Sequence, residues 1–164
     1  MSPILTLNNG VRMPALGLGV FLSPPAQTAA AVRTALETGY RLIDTAAAYM
    51  NERNVGEGLR ASGIAREDVF VTTKAWVSQY GYDGARRGFE ASMTRLGLDY
   101  LDLYLLHWPV PTDFENTIAA YKAAEGQARA ARAQMDVMRN QEGYSQLRAP
   151  RDGVIASRQA EAGQ

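Results

Sequence analysis

The feature that most constrains this chain is a regular beat. Three short apolar, β-compatible runs each end in one polar side chain. Leu42-Ile43 stops at Asp44, Val69 to Thr73 stops at Lys74, and Leu101 to Leu106 stops at His107, the only histidine. These polar residues recur after 30 and then 33 residues. The stretches between the runs carry apolar residues three or four apart, the spacing of one helix face. Strands alternating with helices imply βαβ units and a parallel sheet. Right-handed crossovers then place every strand end on one edge. Asp44, Lys74 and His107, with Tyr49 five residues after Asp44, are therefore expected to meet on one rim. Eight such units would need about 250 residues, the usual size of a (β/α)8 barrel, and that rim is where such barrels carry their sites.

The remaining elements follow from local signals. Ile4 to Leu7 and Arg12 to Leu16 flank Asn8-Asn9-Gly10, the mark of a small hairpin. Residues 15 to 20 read as a short glycine-rich strand, and Ser23-Pro24-Pro25 as a break. Helices are expected over Thr28 to Thr38, Asn51 to Ser62 and Asp83 to Leu96, with Gly39, Gly63 and Gly97 as stops. Thr112 or Asp113 caps a fourth helix through Tyr121. After Lys122 no lysine, tryptophan or phenylalanine recurs, and Ala and Arg dominate residues 123 to 133. Gln127 to Gln141 suits one exposed helix with a thin stripe through Ala131, Met135 and Met138. Two strand-like runs follow, 144 to 150 and 154 to 156, around Asp152-Gly153. The expected organisation is two parts, 1–124 and 125–164: an α/β piece, then a helix and a short β tail.

Composition removes several kinds of function. The 164 residues are 46% hydrophobic with zero formal net charge, which gives no electrostatic case for nucleic acid or an anionic membrane. No cysteine is present, so thiolate metal sites and cysteine nucleophiles are excluded. A single histidine excludes sites needing several His ligands. There is no run of about 18 apolar residues to span a bilayer. The first ten residues lack the pattern of a secretory leader, so a cytoplasmic setting is expected.

The four polar residues suit one chemistry. A phenol is a poor acid near neutrality, its ordinary pKa being about 10. A neighbouring ammonium favours the phenolate. Lys74 can supply that charge, and Asp44 can hold Lys74 in place. His107 can donate a hydrogen bond to a substrate oxygen. Tyr49 could then protonate the alkoxide formed as a carbonyl is reduced. None of the four can supply hydride, so a nicotinamide is implied. Taken singly, each has a plainer reading. A lone histidine after a strand is more often structural, most lysines are simply solvated, and Asp44-Thr45 could cap a turn. Gly17-Leu18-Gly19 lacks the third glycine of a dinucleotide fingerprint and reads as close packing.

LGLGVF, LIDTAAAYMNERNVGEGL, VFVTTKAW and LDLYLLHWP, in this order, resemble the aldo-keto reductase family from about residue 4 to about residue 122. The resemblance implies the N-terminal half of a (β/α)8 barrel, a hairpin plus four βα units, and NADPH-dependent reduction of small aldehydes and ketones. It implies that Tyr49 is the proton donor, that Lys74 and Asp44 lower its pKa, and that His107 orients substrate. It places Phe21, Trp76, His107 and Trp108 in the substrate pocket, and Gly19, Val20, Phe21 and Asp44 against the cofactor. Four further βα units, with most of the family's cofactor contacts, do not follow here, so little or no turnover is expected. Open sheet edges are expected to drive self-association.

Residues 127 to 164 resemble a different family, the periplasmic adaptor (membrane fusion) proteins of efflux pumps, chiefly through Leu147-Arg148-Ala149-Pro150 and Asp152-Gly153. The chain then looks like a fusion of two fragments. The alternative function is a non-enzymatic interaction module whose tail helix pairs with a partner helix.

Overall fold

The computed structural model describes residues 2–108 and 114–145. The chain opens with an antiparallel hairpin, β1 (Ile4–Thr6) and β2 (Arg12–Pro14), with Leu5 opposite Met13. Gly10 closes its turn at φ 81°, a conformation glycine adopts without a Cβ penalty. The Asn9 side chain accepts from the Val11 amide at 3.1 Å.

Four parallel strands follow in simple order: β3 (Leu18–Gly19), β4 (Leu42–Asp44), β5 (Phe70–Ala75) and β6 (Leu103–Leu106). Helices α1 (Pro25–Glu37), α2 (Glu52–Ala61) and α3 (Tyr82–Leu96) connect them, and α4 (Phe114–Ser145) comes last. The core lies between sheet and helices. Ile43, Val71, Ala75 and Tyr104 meet Val32 and Leu36 of α1, Val55 and Leu59 of α2, Leu96 of α3 and Ala124 of α4.

Helix α2 is wedged between its neighbours by two glycines. A Cβ on Gly58 would come within 2.6 Å of the Ala29 carbonyl oxygen, and one on Gly56 within 1.9 Å of the Leu96 carbonyl oxygen. Both close approaches require the absence of a side chain.

Register decides what faces the rim. Asp44 pairs with Thr72, and Lys74 with Leu105. Because strand side chains alternate, Thr72 and Lys74 share a face with Asp44, while Thr73 points the other way, beneath α2. His107 follows β6 directly, its amide bonded to the Ala75 carbonyl at 3.0 Å.

The elements differ from expectation in several places. Helix α1 begins at Pro25 rather than Thr28. Pro25 sits in the first turn, where a proline lacks only a hydrogen bond that is unmade anyway; the proline pair starts the helix instead of breaking the chain. Strand β6 begins at Leu103 rather than Leu101, because the Asp102 carboxylate turns back to accept from the Val71 amide at 2.9 Å and from Arg66 at 2.7 Å. The fourth helix does not stop at Tyr121. It continues through 127–141 as one helix of 32 residues, since Ala, Arg, Gln and Glu are strong helix formers and Gly126 alone does not interrupt them. Tyr144 and Ser145 are helical rather than strand. The proposed caps Thr112 and Asp113 and the β tail beyond Ser145 lie outside the described residues.

Candidate active site

The strand ends converge as the beat implies. Lys74 Nζ lies 2.8 Å and 2.7 Å from the two carboxylate oxygens of Asp44, and donates to the Thr45 carbonyl at 2.9 Å. The Tyr49 hydroxyl stands 3.5 Å from the same nitrogen. The His107 ring meets the Tyr49 ring edge-on, centroids 5.5 Å apart. Four polar residues from three strand ends thus share one cluster.

Tyr49 is carried on a 3-10 turn, Ala47–Tyr49, which leaves β4 and ends at Met50 in the left-handed region at φ 57°. What fixes this turn is Asn51. Its side chain is fully buried. Nδ2 donates to the Val20 carbonyl at 2.9 Å and the Ser23 carbonyl at 3.2 Å, and Oδ1 accepts from Thr45 Oγ1 at 3.1 Å. One amide therefore ties the Phe21 loop, the end of β4 and the Tyr49 turn together. Glu52, also buried, locks the start of α2 to the sheet. It accepts from Thr73 Oγ1 at 2.6 Å and from Arg95 Nε at 2.6 Å.

An aromatic wall surrounds the cluster. Trp76 meets His107 at 5.3 Å and Trp108 at 4.8 Å between ring centroids, and Phe21 meets Tyr49 at 5.0 Å. Trp108 is anchored by Tyr80, whose hydroxyl donates to the Trp108 carbonyl and accepts from its amide at 3.2 Å. Trp108 and Phe21 are nonetheless 58% and 66% exposed. Together with Met50, Arg53, Arg95 and others, these side chains line a cavity of about 1170 Å³ that contains the Tyr49 and His107 side chains.

The His107 imidazole is held below its ordinary value. Burial is the main cause, repulsion from the Lys74 ammonium adds to it, and Asp44 opposes it. Its Nδ1 is buried without a partner among the described residues. Both facts favour the neutral ring near pH 7. On β6, burial and the Glu52 carboxylate push the Tyr104 phenol well above its usual range, with Arg95 opposing.

Of the residues expected to touch a cofactor, Gly19 faces open space and Phe21 is exposed. Asp44 is about one-third exposed, with both oxygens turned to Lys74. Val20 is different. Its side chain is in the core, its amide donates to the Asp44 carbonyl at 3.1 Å, and its carbonyl is held by Asn51. Val20 shapes the loop rather than lining the cavity.

Asn51, Glu52, Arg95 and Tyr80 were not singled out from the sequence. Only Asn51-Glu52 had a signal, two polar residues immediately after the Tyr49 turn. Among the described residues no group of three or more His, Asp or Glu side chains could hold a metal ion, and no helix is long and apolar enough to cross a membrane.

Comparison with known proteins places this geometry. Residues 15–138 match the profile of the Aldo/keto reductase family. That match takes in residues 127–138, which the sequence reading assigned to an adaptor-like segment. The chain is 57% identical over 134 residues to a morphine 6-dehydrogenase of Pseudomonas putida, covering 79% of this chain and 45% of that protein. It is 55% identical over 122 residues to a 9,11-endoperoxide prostaglandin H2 reductase of Trypanosoma cruzi, covering 74% and 42%. Among solved structures, an aldo/keto reductase from Brucella melitensis superposes with a TM-score of 0.73 at 42% identity, covering 77% of this chain and 50% of that one. A Bombyx mori aldo-keto reductase in complex with NADP gives 0.70 at 36%, covering 78% and 48%. The chain spans less than half the length of the two curated relatives.

Proposed function

This chain belongs to the aldo/keto reductase family, and on that premise we propose that it carries the proton-handling half of an NADPH-dependent carbonyl reductase. The observation that carries the reading is the Lys74 ammonium, gripped by Asp44 and 3.5 Å from the Tyr49 hydroxyl, beside a neutral His107 in a large aromatic-walled cavity. The names of the two curated relatives denote oxidoreductases, and the Bombyx mori aldo-keto reductase was solved in complex with NADP, which supports the same cofactor class here. The simple strand order β3-β4-β5-β6 supports reading the chain as the first half of a (β/α)8 barrel.

In this reading the substrate carbonyl enters between Trp76, Trp108 and Phe21. His107, neutral near pH 7, donates one hydrogen bond to its oxygen and fixes its direction. Tyr49 Oη delivers the proton as negative charge develops on that oxygen. Lys74 stabilises the phenolate left behind, and Asp44 keeps Lys74 from swinging away. The open space beside Gly19, the exposed Phe21 ring and Asp44 fit one wall of a nicotinamide site. The nicotinamide, when bound, supplies the hydride.

The test is direct. NADPH is titrated into the 164-residue chain while Trp76 and Trp108 fluorescence is followed, and reduction of an aromatic aldehyde is then assayed. Saturable quenching is the expected result; turnover by this chain should be weak, and what there is should be lost in Tyr49→Phe. A folded sample that neither binds NADPH nor reduces the aldehyde would overturn the reading.

A second reading concerns the end of α4. Arg129, Ala130, Arg132, Ala133 and Gln134 are all exposed, which favours an interaction helix belonging to a separate 125–164 unit. Expression of 1–124 alone separates the two. A folded product with unchanged cavity fluorescence supports two units; loss of folding makes α4 an integral part of the barrel piece.

A further inference from the structure

The cavity holds a charge that the proposed reduction does not use. Three formally charged side chains line it: Glu52, Arg95 and Arg53. Glu52 and Arg95 cancel, bonded at 2.6 Å with the carboxylate fully buried. Asp44 and Lys74 cancel in the same way at 2.7 Å. His107 is held toward its neutral form. Arg53 is what remains. It sits four residues after Tyr49, is exposed and lines the cavity, and makes no hydrogen bond or ion pair to another described residue. Glu57, the nearest acid one turn along α2, does not pair with it; Glu57 accepts instead from Asn54 Nδ2 at 3.2 Å. Among the charged side chains lining the cavity, Arg53 is thus the one guanidinium with no ion-pair partner among the described residues, and its planar fork of donors matches a carboxylate.

We propose that Arg53 forms an anion-binding subsite in the lining of the cavity, which selects carbonyl compounds bearing a carboxylate remote from the reacting carbon. The inference rests on the carbonyl-reductase reading and names its substrate class. An uncharged body would lie along Trp76, Trp108 and Met50, with the carbonyl at Tyr49 and His107 and the acid at Arg53. The preference comes from one charged contact at an exposed site, so it is modest and weakens with salt.

The test compares 4-carboxybenzaldehyde with its neutral methyl ester, methyl 4-formylbenzoate, binding to the full chain at low salt by tryptophan quenching. The carboxylate should bind about threefold to tenfold more tightly. Arg53→Gln should abolish that preference while leaving ester binding unchanged, and Arg53→Lys should keep part of it. Arg53 is on the surface, so both variants should fold, which far-UV circular dichroism verifies. Equal binding of the two aldehydes, or a preference that survives Arg53→Gln, overturns the subsite while leaving the reductase reading standing. Binding of neither aldehyde to the folded chain counts against both.

Discussion

Lys74 makes the clearest prediction. Replacing it with methionine leaves the Asp44 carboxylate half-sheltered without its ammonium. Destabilisation of about 1–2 kcal/mol is expected, a discounted figure because Asp44 is partly exposed. The double variant Asp44→Asn, Lys74→Met should cost less than the sum of the singles, which urea unfolding of all four proteins would test. His107 predicts a pH dependence. Its folded pKa lies below the ordinary value of about 6.5, so the native state resists protonation that the unfolded chain accepts. Its contribution is whole above that ordinary value and declines as pH falls through it toward the folded pKa. The urea midpoint should drop between pH 7.5 and pH 5.5, and His107→Gln should flatten that part of the curve. Tyr49, Lys74, Asp44 and His107 were legible in the sequence because each is a polar residue closing or following an apolar run. Asn51, Glu52, Tyr80 and Arg95 were not, because their roles lie in bonds to partners 31, 21, 28 and 43 residues away, which no local pattern encodes.

Among the elements, α2 is the most tightly constrained. It carries Asn51 and Glu52 at its start and two glycines against its neighbours. Gly56→Ala would drive a methyl into the Leu96 carbonyl, so α2 must shift away from α3. A loss of at least about 2 kcal/mol is expected, and the shift should loosen Glu52 from Arg95. An alanine at exposed Gly126 of α4, which meets nothing, should instead stabilise by about 0.5–1 kcal/mol. Thermal melts of the two variants should therefore move in opposite directions. The strands and first three helices were readable because their apolar spacing and terminal glycines agree. The end of the fourth helix was not, since a change of composition at Lys122 was read as a change of structure. Alanine and arginine propagate a helix regardless of which segment they belong to.

For the whole molecule, the sheet has β3 at one edge and β6 at the other among the described residues. Parallel strands are normally paired and covered on both sides, and an unpaired edge invites another chain. Leu105 of β6 is already 38% exposed on the rim-side face. The purified chain should therefore self-associate, and light scattering should report a mass above that of one 164-residue chain. Leu105→Lys should shift the distribution toward the monomer. A monodisperse wild-type monomer would remove the argument. The parallel α/β layout was readable from the 30-residue beat alone. That the relatives would be longer was expected from the four motifs in order rather than from the beat, and the matched stretch covers 45% and 42% of the two curated relatives.

The three hydrogen bonds made by Asn51 have a consequence for anyone who would re-engineer this rim. The Phe21 loop, the end of β4 and the Tyr49 turn are all gripped by this one buried amide as a fastener, with the Val20 amide on the Asp44 carbonyl as a second tie between the first two. A loop borrowed from a relative to alter selectivity would have to arrive with its own matching counterparts at all three places, or leave the fastener gripping only part of what it now holds.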